Sequence, residues 1–132
     1  MLVTGGTGFL GRHLTGTDAA RDWEIVAPGS HFMDVTNRAQ VLEEVREWKP
    51  NVVVHLAYRK DDRRSIVQAS ESVARAALVA KAHLIHRSTD LVFAGRAMPY
   101  RESDSPTAII DYGRWKAEAE EAVAAAHPSA LI

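Results

Sequence analysis

VTGGTGFLG, running from Val3 to Gly11, sets the reading of the entire chain. It places Gly5, Gly8 and Gly11 three residues apart, directly behind the apolar run MLVT. Glycines at that spacing permit a tight turn, close approach of backbone N–H groups to a pyrophosphate, and close packing of the next helix, whose N-terminus favours an anion. A glycine triplet also suits a plain structural turn, so its meaning depends on the elements around it.

Those elements alternate. Apolar runs suited to buried strands (MLVT, WEIVA, VVVHLA, HLIHRS and a terminal SALI) are separated by segments of helical period, the rhythm of a parallel sheet. In TNRAQVLEEVREWKP, Thr36 is expected to cap a helix carrying Val41, Leu42, Val45 and Trp48, which Pro50 ends. A second helix is expected from about Asp61 to Lys81, with Ile66, Val73 and Ala77 on its inner face and RKDDRR as a solvated entrance. A third should begin at Ile109 or Ile110 and run through YGRWKAEAEEAVAAA to His127, ahead of Pro128. GRAMPYRESDSPTA is the one long irregular segment, and it follows a strand, where such folds keep their working loops. The expected fold is α/β: a Rossmann-like, doubly wound parallel sheet with helices on both faces, one domain over residues 1–132.

Composition narrows the function. Of 132 residues, 46% are hydrophobic and 25% charged, as in ordinary globular domains, and the net charge is −1 with no basic face, so no nucleic-acid partner is expected. Cysteine is absent, which removes disulfides and thiol chemistry. No apolar run approaches membrane-spanning length and MLVTGG lacks the regions of a secretion signal, so a cytoplasmic protein without membrane association is expected. His83 and His86 lie three apart on a strand and so face opposite sides, and no HExxH is present; no metal site is expected. Trp23, Trp48 and Trp115 read as packing residues.

YGRWK sets Tyr112 and Lys116 one helical turn apart on one face. By itself such a pair is ordinary surface decoration. An ammonium there would also favour the phenolate and lower the tyrosine from its ordinary pKa of about 10, which suits acid–base chemistry.

In order, the chain shows TGGTGFLG, MDVTN after the second strand, VVVHLAY, STDLVFAG with PYRESDSP behind it, and YGRWK. Along its whole length it resembles the extended short-chain dehydrogenases/reductases, the group of sugar-nucleotide epimerases, dehydratases and reductases. STDLVFAG, PYRESDSP and the Tyr-Gly-x-x-Lys helix are most similar to the dTDP-4-dehydrorhamnose reductase branch. The resemblance implies an NAD(P)-dependent oxidoreductase that reduces a nucleotide-linked 4-keto-sugar, and it allows a homodimer. An epimerase or dehydratase of nucleotide-sugars, and a non-catalytic NAD(P)-binding regulatory subunit, stay open as alternatives.

Carried over by position, the resemblance makes Tyr112 the proton donor, Lys116 its partner and the holder of the nicotinamide ribose, and Thr89 the group that aligns the substrate oxygen. Gly5, Gly8, Phe9, Leu10 and Gly11 would form the pyrophosphate turn, and Asp34 and Val35 would line the adenine pocket. Leu56, Ala57 and Tyr58 would pass beneath the pyrophosphate and ribose, with Ser88 completing the cofactor contacts. For Asp34 a capping carboxylate beside Thr36 is the other reading.

Two departures matter. The asparagine common in the family's helix after the HLA strand has no counterpart in SIVQASESV. The second strand ends in APGSH, without the acid that binds the ribose 2′-OH of NAD, which leaves NADP as well as NAD admissible. Family members run well beyond this length, and their C-terminal part forms the sugar-nucleotide pocket. That part is expected to be missing from these residues, whether they are a piece of a longer chain or a short form; alone, they are expected to bind cofactor weakly or aggregate.

Overall fold

The computed structural model describes residues 1–132. Three strands, β1 (Leu2–Thr4), β2 (Val52–His55) and β3 (His83–His86), pair in parallel in the order β1-β2-β3. The helices are α1 (Phe9–Thr15), α2 (Arg38–Trp48), α3 (Arg63–Val79) and α4 (Asp111–Ala126), with short 3-10 turns at Asp18–Asp22 and Asp90–Val92. No helix is long and apolar enough to cross a membrane.

The other two apolar runs join the sheet only at single points. Val26 of WEIVA bridges Leu2 on one side and Leu131 of SALI bridges Ile85 on the other, both in parallel. Hydrogen bonds from Val3 N to Val26 O and from Val26 N to Met1 O make the first join; His86 N to Leu131 O and Leu131 N to Leu84 O make the second. Neither run extends into a ladder, and each lies at an outer edge of the sheet. The spatial order is therefore the Val26 segment, β1, β2, β3, then the Leu131 segment. The chain leaves β1 toward one side and returns across it to β2, so the order reverses at the C-terminal end of β1. Right-handed crossovers then place α1 on one face and α2, α3 and α4 on the other, a doubly wound arrangement.

Register explains the core. Leu2, Val53 and Leu84 lie side by side across the sheet and point to the same face. There they join Val41 and Val45 of α2, Val73, Ala74 and Ala77 of α3, and Val123 and Ala126 of α4 in one buried cluster. Each fully buried valine or leucine contributes about 1.5–3 kcal/mol. The alanines keep α3 thin where it packs against α4.

Several local expectations shift by a residue. Asn37, not Thr36, caps α2, its side chain accepting from Gln40 N at 3.2 Å. Asp62 caps α3, and α4 starts at Asp111 after Ile110. Trp23 and Trp48 are about half exposed rather than packed; Trp48 lies on the outer side of α2, where its indole N–H donates to Glu44 at 2.8 Å.

Candidate active site

The reversal of strand order opens a cleft of about 700 Å³ at the C-terminal ends of the strands. Its floor is the glycine turn. Gly5 adopts a left-handed φ of +72°, and a Cβ there would lie 2.8 Å from Ala57 N; a Cβ on Gly11 would lie 2.4 Å from Gly5 O. Both positions need glycine, the first for conformation and the second for packing. The turn closes through Gly8 N to Gly5 O at 2.9 Å and leads into α1, whose first residues Phe9 and Leu10 are exposed into the cleft.

Of the residues expected to hold a cofactor, ten line this cleft: Gly5, Gly8, Phe9, Leu10 and Gly11 from the turn, Asp34 and Val35 beyond the Val26 segment, and Leu56, Ala57 and Tyr58 beyond β2. The cradle has the open, glycine-floored shape that a dinucleotide requires. Asp34 is held by Thr36, whose backbone N–H and hydroxyl both donate to Asp34 Oδ1, at 2.9 and 2.8 Å. These bonds hold its carboxyl below the ordinary value, so it remains an anion. It is thus a turn-forming carboxylate ahead of α2 rather than the helix cap, and it faces the cleft as well.

Thr4, Arg59, Ser65 and Arg87 also line the cleft and went unread in the sequence. Arg87 follows β3 directly; a basic residue at the C-terminal end of a parallel strand was the available signal.

Ser88, Tyr112 and Lys116 lie beyond the cleft's lining, and the last two touch it. Lys116 Nζ donates to the Arg87 carbonyl at 2.6 Å and sits 5.1 Å from the Tyr58 ring centre. The Tyr112 ring stacks on Tyr58 with centroids 5.9 Å apart, so two cleft residues lead to the pair on α4. Ser88 Oγ donates to Glu120 of α4. Thr89 caps the following 3-10 turn, accepting from Leu91 N at 3.3 Å, and donates to Asp90 at 3.2 Å.

The electrostatics depart from expectation in one respect. Tyr112 is not lowered by Lys116; its pKa is pushed up to about 12 by burial and by the neighbouring Tyr58, and Arg87 opposes this only in part. The Lys116 ammonium donates to the Arg87 carbonyl. Burial and the Arg87 charge bring Lys116 itself down to about 8. Burial opposes ionisation of Tyr58 too, but its contacts with Tyr112 and Arg87 and the charge of Lys60 outweigh that and hold it below its ordinary value. The arrangement keeps a proton on Tyr112 at neutral pH and surrounds Tyr58 with cations.

Behind the strands, the Thr4 hydroxyl and Ser70 Oγ flank the buried His55 ring, at 2.7 Å from Nδ1 and 3.1 Å from Nε2. The His86 ring stacks on it at 5.4 Å. No group of three or more acidic or histidine side chains is arranged to hold a metal ion.

A family model described as the RmlD substrate binding domain matches residues 1–132. The chain is 36% identical over 144 residues to a probable dTDP-4,6-dihydroxy-2-methyloxan-3-one 4-ketoreductase of Streptomyces antibioticus, covering 99% of this chain and 48% of that protein. It is 32% identical over 141 residues to methionine adenosyltransferase 2 subunit beta of Xenopus tropicalis, covering 92% and 42%. The crystal structure of dTDP-4-dehydrorhamnose reductase from Bacillus anthracis str. Ames in complex with NADP superposes with a TM-score of 0.91 at 28% identity, covering 98% of this chain and 50% of that one. The chain spans about half the length of the relatives it matches.

Proposed function

The chain belongs to the RmlD substrate binding domain family, and on that footing we propose that it is the cofactor half, with the proton-donating pair, of an NAD(P)-dependent oxidoreductase that reduces a nucleotide-linked 4-keto-sugar. The observation that carries the reading is the continuity between the glycine-floored cleft and α4: Tyr58 of the cleft stacks on Tyr112, and Arg87 of the cleft accepts from Lys116. The structure similar to this chain that was solved with NADP supports the choice of cofactor. When bound in the cleft, the reduced nicotinamide supplies the hydride.

The chain's own residues supply position and proton. Gly5, Gly8 and Gly11 leave the backbone open to the pyrophosphate at the start of α1. Lys116 holds the ribose and Thr89 aligns the substrate oxygen. Tyr112 gives its proton to that oxygen as charge develops on it. A phenol kept protonated by burial suits reduction, in which the donor must begin each cycle as the acid.

Tyr112→Phe should leave cofactor affinity intact and slow the chemical step by about a hundred to ten thousand fold. Lys116→Met should weaken cofactor binding and slow the step together. The measurement is NADPH oxidation with a dTDP-4-keto-sugar on the full-length protein, alongside cofactor dissociation constants. Turnover of Tyr112→Phe within about threefold of the parent would show that the pair is structural. The same assay separates a reductase, which consumes cofactor stoichiometrically, from an epimerase or dehydratase, which returns it.

A second reading is favoured by the 32% identity to a methionine adenosyltransferase subunit: a cofactor-binding regulatory subunit. Tight NADPH binding with no turnover of any keto-sugar nucleotide would support it.

A further inference from the structure

Met33 is buried in the main core cluster, while Phe32 before it is exposed and Asp34 after it faces the cleft. The chain thus turns one residue inward on the segment that carries Asp34 and Val35 to the cleft. A methionine side chain is unbranched and adapts to its surroundings, so its burial holds the segment down without fixing its direction. No ladder fixes it either, since the segment belongs to no strand. Adjacent turns use Phe32 N and Met33 N, which donate to Gly29 O at 2.9 and 3.1 Å, and Asp34 O, which accepts from Asn37 N at 2.9 Å. The two backbone groups flanking Met33, Phe32 O and Asp34 N, both go to one side chain. Gln40 Nε2 donates to Phe32 O at 2.9 Å, and Asp34 N donates to Gln40 Oε1 at 3.1 Å. Neither backbone group has another partner in the chain.

A primary amide carries the same donor and acceptor as a peptide unit, so Gln40 pairs with this segment as an adjacent strand would. Gln40 is the third residue of α2, where a glutamine ordinarily reaches back to the backbone N–H of the cap. Here Asn37 N is already bonded to Asp34 O, and the amide reaches past the cap instead. Gln40 itself stands outside the cleft lining. We infer that Gln40 is a positioning residue for the adenosine half of the cofactor: its amide sets the path of Met33, Asp34 and Val35 along the cleft before a ligand arrives, so that dinucleotide affinity depends on a side chain outside the cleft. The inference rests on the reading of the cleft as a cofactor site and not on turnover.

The test is titration of the full-length protein and its Gln40→Met variant with NADPH and with adenosine 2′,5′-bisphosphate, which is the adenosine end of that cofactor alone. Methionine matches glutamine in length and helix propensity, so α2 is kept while both clamp bonds are lost. Both dissociation constants should rise by about tenfold, the effect of leaving two backbone groups unpaired in the free protein. In NADPH oxidation with a dTDP-4-keto-sugar, KM for NADPH should rise with them while kcat stays within about threefold, because the clamp acts on the end away from the hydride. Gln40→Ala, with the best helix former at the same position, must repeat the result should the Met variant fail to fold. Dissociation constants within about twofold of the parent's overturn the inference, as does weaker NADPH binding with unchanged binding of the bisphosphate, or a kcat that falls as far as KM rises. A parent that binds neither ligand removes the cofactor reading and the inference with it, whereas a parent that binds both, with variants that match it, removes the clamp alone.

Discussion

Both ring nitrogens of His86 are buried without a hydrogen-bond partner, beside His55 and under the charge of Lys116. Burial, then Lys116 and Arg87, bring its pKa down to about 3. In the unfolded chain the same imidazole titrates near its ordinary value of about 6.5, so below that pH the unfolded state takes up a proton that the native state refuses. The resulting stability is complete above about pH 6.5 and is lost as pH falls toward 3; between pH 7 and pH 5 this one residue should cost about 2 kcal/mol. His55 shifts in the same direction, chiefly through burial, and adds to the acid sensitivity. His86→Leu removes two unsatisfied polar atoms, so at pH 7 it should be neutral or stabilising, and at pH 5 its advantage over the parent should grow by about 2 kcal/mol. Urea denaturation at the two pH values measures this; parallel pH dependence in both proteins would place the acid sensitivity elsewhere. Alternation along the strand alone set His83 and His86 on opposite faces; the structure shows His86 on the covered side and His83 on the open one. What alternation could not convey is that no partner waits for His86, since that depends on what α3 and α4 bring over it.

Helix α4 carries a glycine at its third residue, between the two residues proposed for chemistry. In an open helix interior Gly113→Ala would stabilise by about 1 kcal/mol. Here an added Cβ would lie 2.1 Å from Leu91 O and 2.9 Å from Leu91 C, both backbone atoms of the 3-10 turn that Thr89 caps. Backbone cannot swing aside as a flexible side chain can, so the sign should reverse: Gly113→Ala is expected to destabilise by about 1–3 kcal/mol and to slow turnover by displacing Tyr112. A urea midpoint above the parent's would show that the turn yields freely. The same contact explains why the sequence spoke clearly about α4 and less clearly about strands. Tyr112, Gly113 and Lys116 are local in sequence, and a helical turn suffices to align them. WEIVA and SALI have strand composition, yet only Val26 and Leu131 pair, since composition does not set how far an edge run follows its one neighbour. Arg87 and the Tyr58–Tyr112 stack depend on β2, β3 and α4 converging in space, which no spacing in the sequence records.

Charge across the chain is nearly balanced, at −1, but the cleft is not. Its lining holds Arg59 and Arg87 against one carboxylate, Asp34, and Asp34 is itself faced by Arg59 and Arg64. Residues drawn from three separate crossovers, all ending at the C-terminal edge of the sheet, thus concentrate positive potential where a dinucleotide's phosphates would lie. The strand-end segment APGSH enters the same cleft through Pro28 and Ser30 and contains no acid to repel a 2′-phosphate. NADPH, which carries that extra phosphate, should therefore bind at least as tightly as NADH. If focused charge is the cause, any advantage should shrink as salt rises and the Debye length falls from about 10 Å toward about 3 Å. Fluorescence titration of both cofactors at low and high salt makes the comparison. An advantage for NADPH that salt leaves unchanged would assign the preference to neutral contacts such as the Ser30 hydroxyl. NADH binding tighter by about tenfold or more would mean that Asp34, despite its two arginines, acts on the 2′-position as the missing strand-end acid would have done.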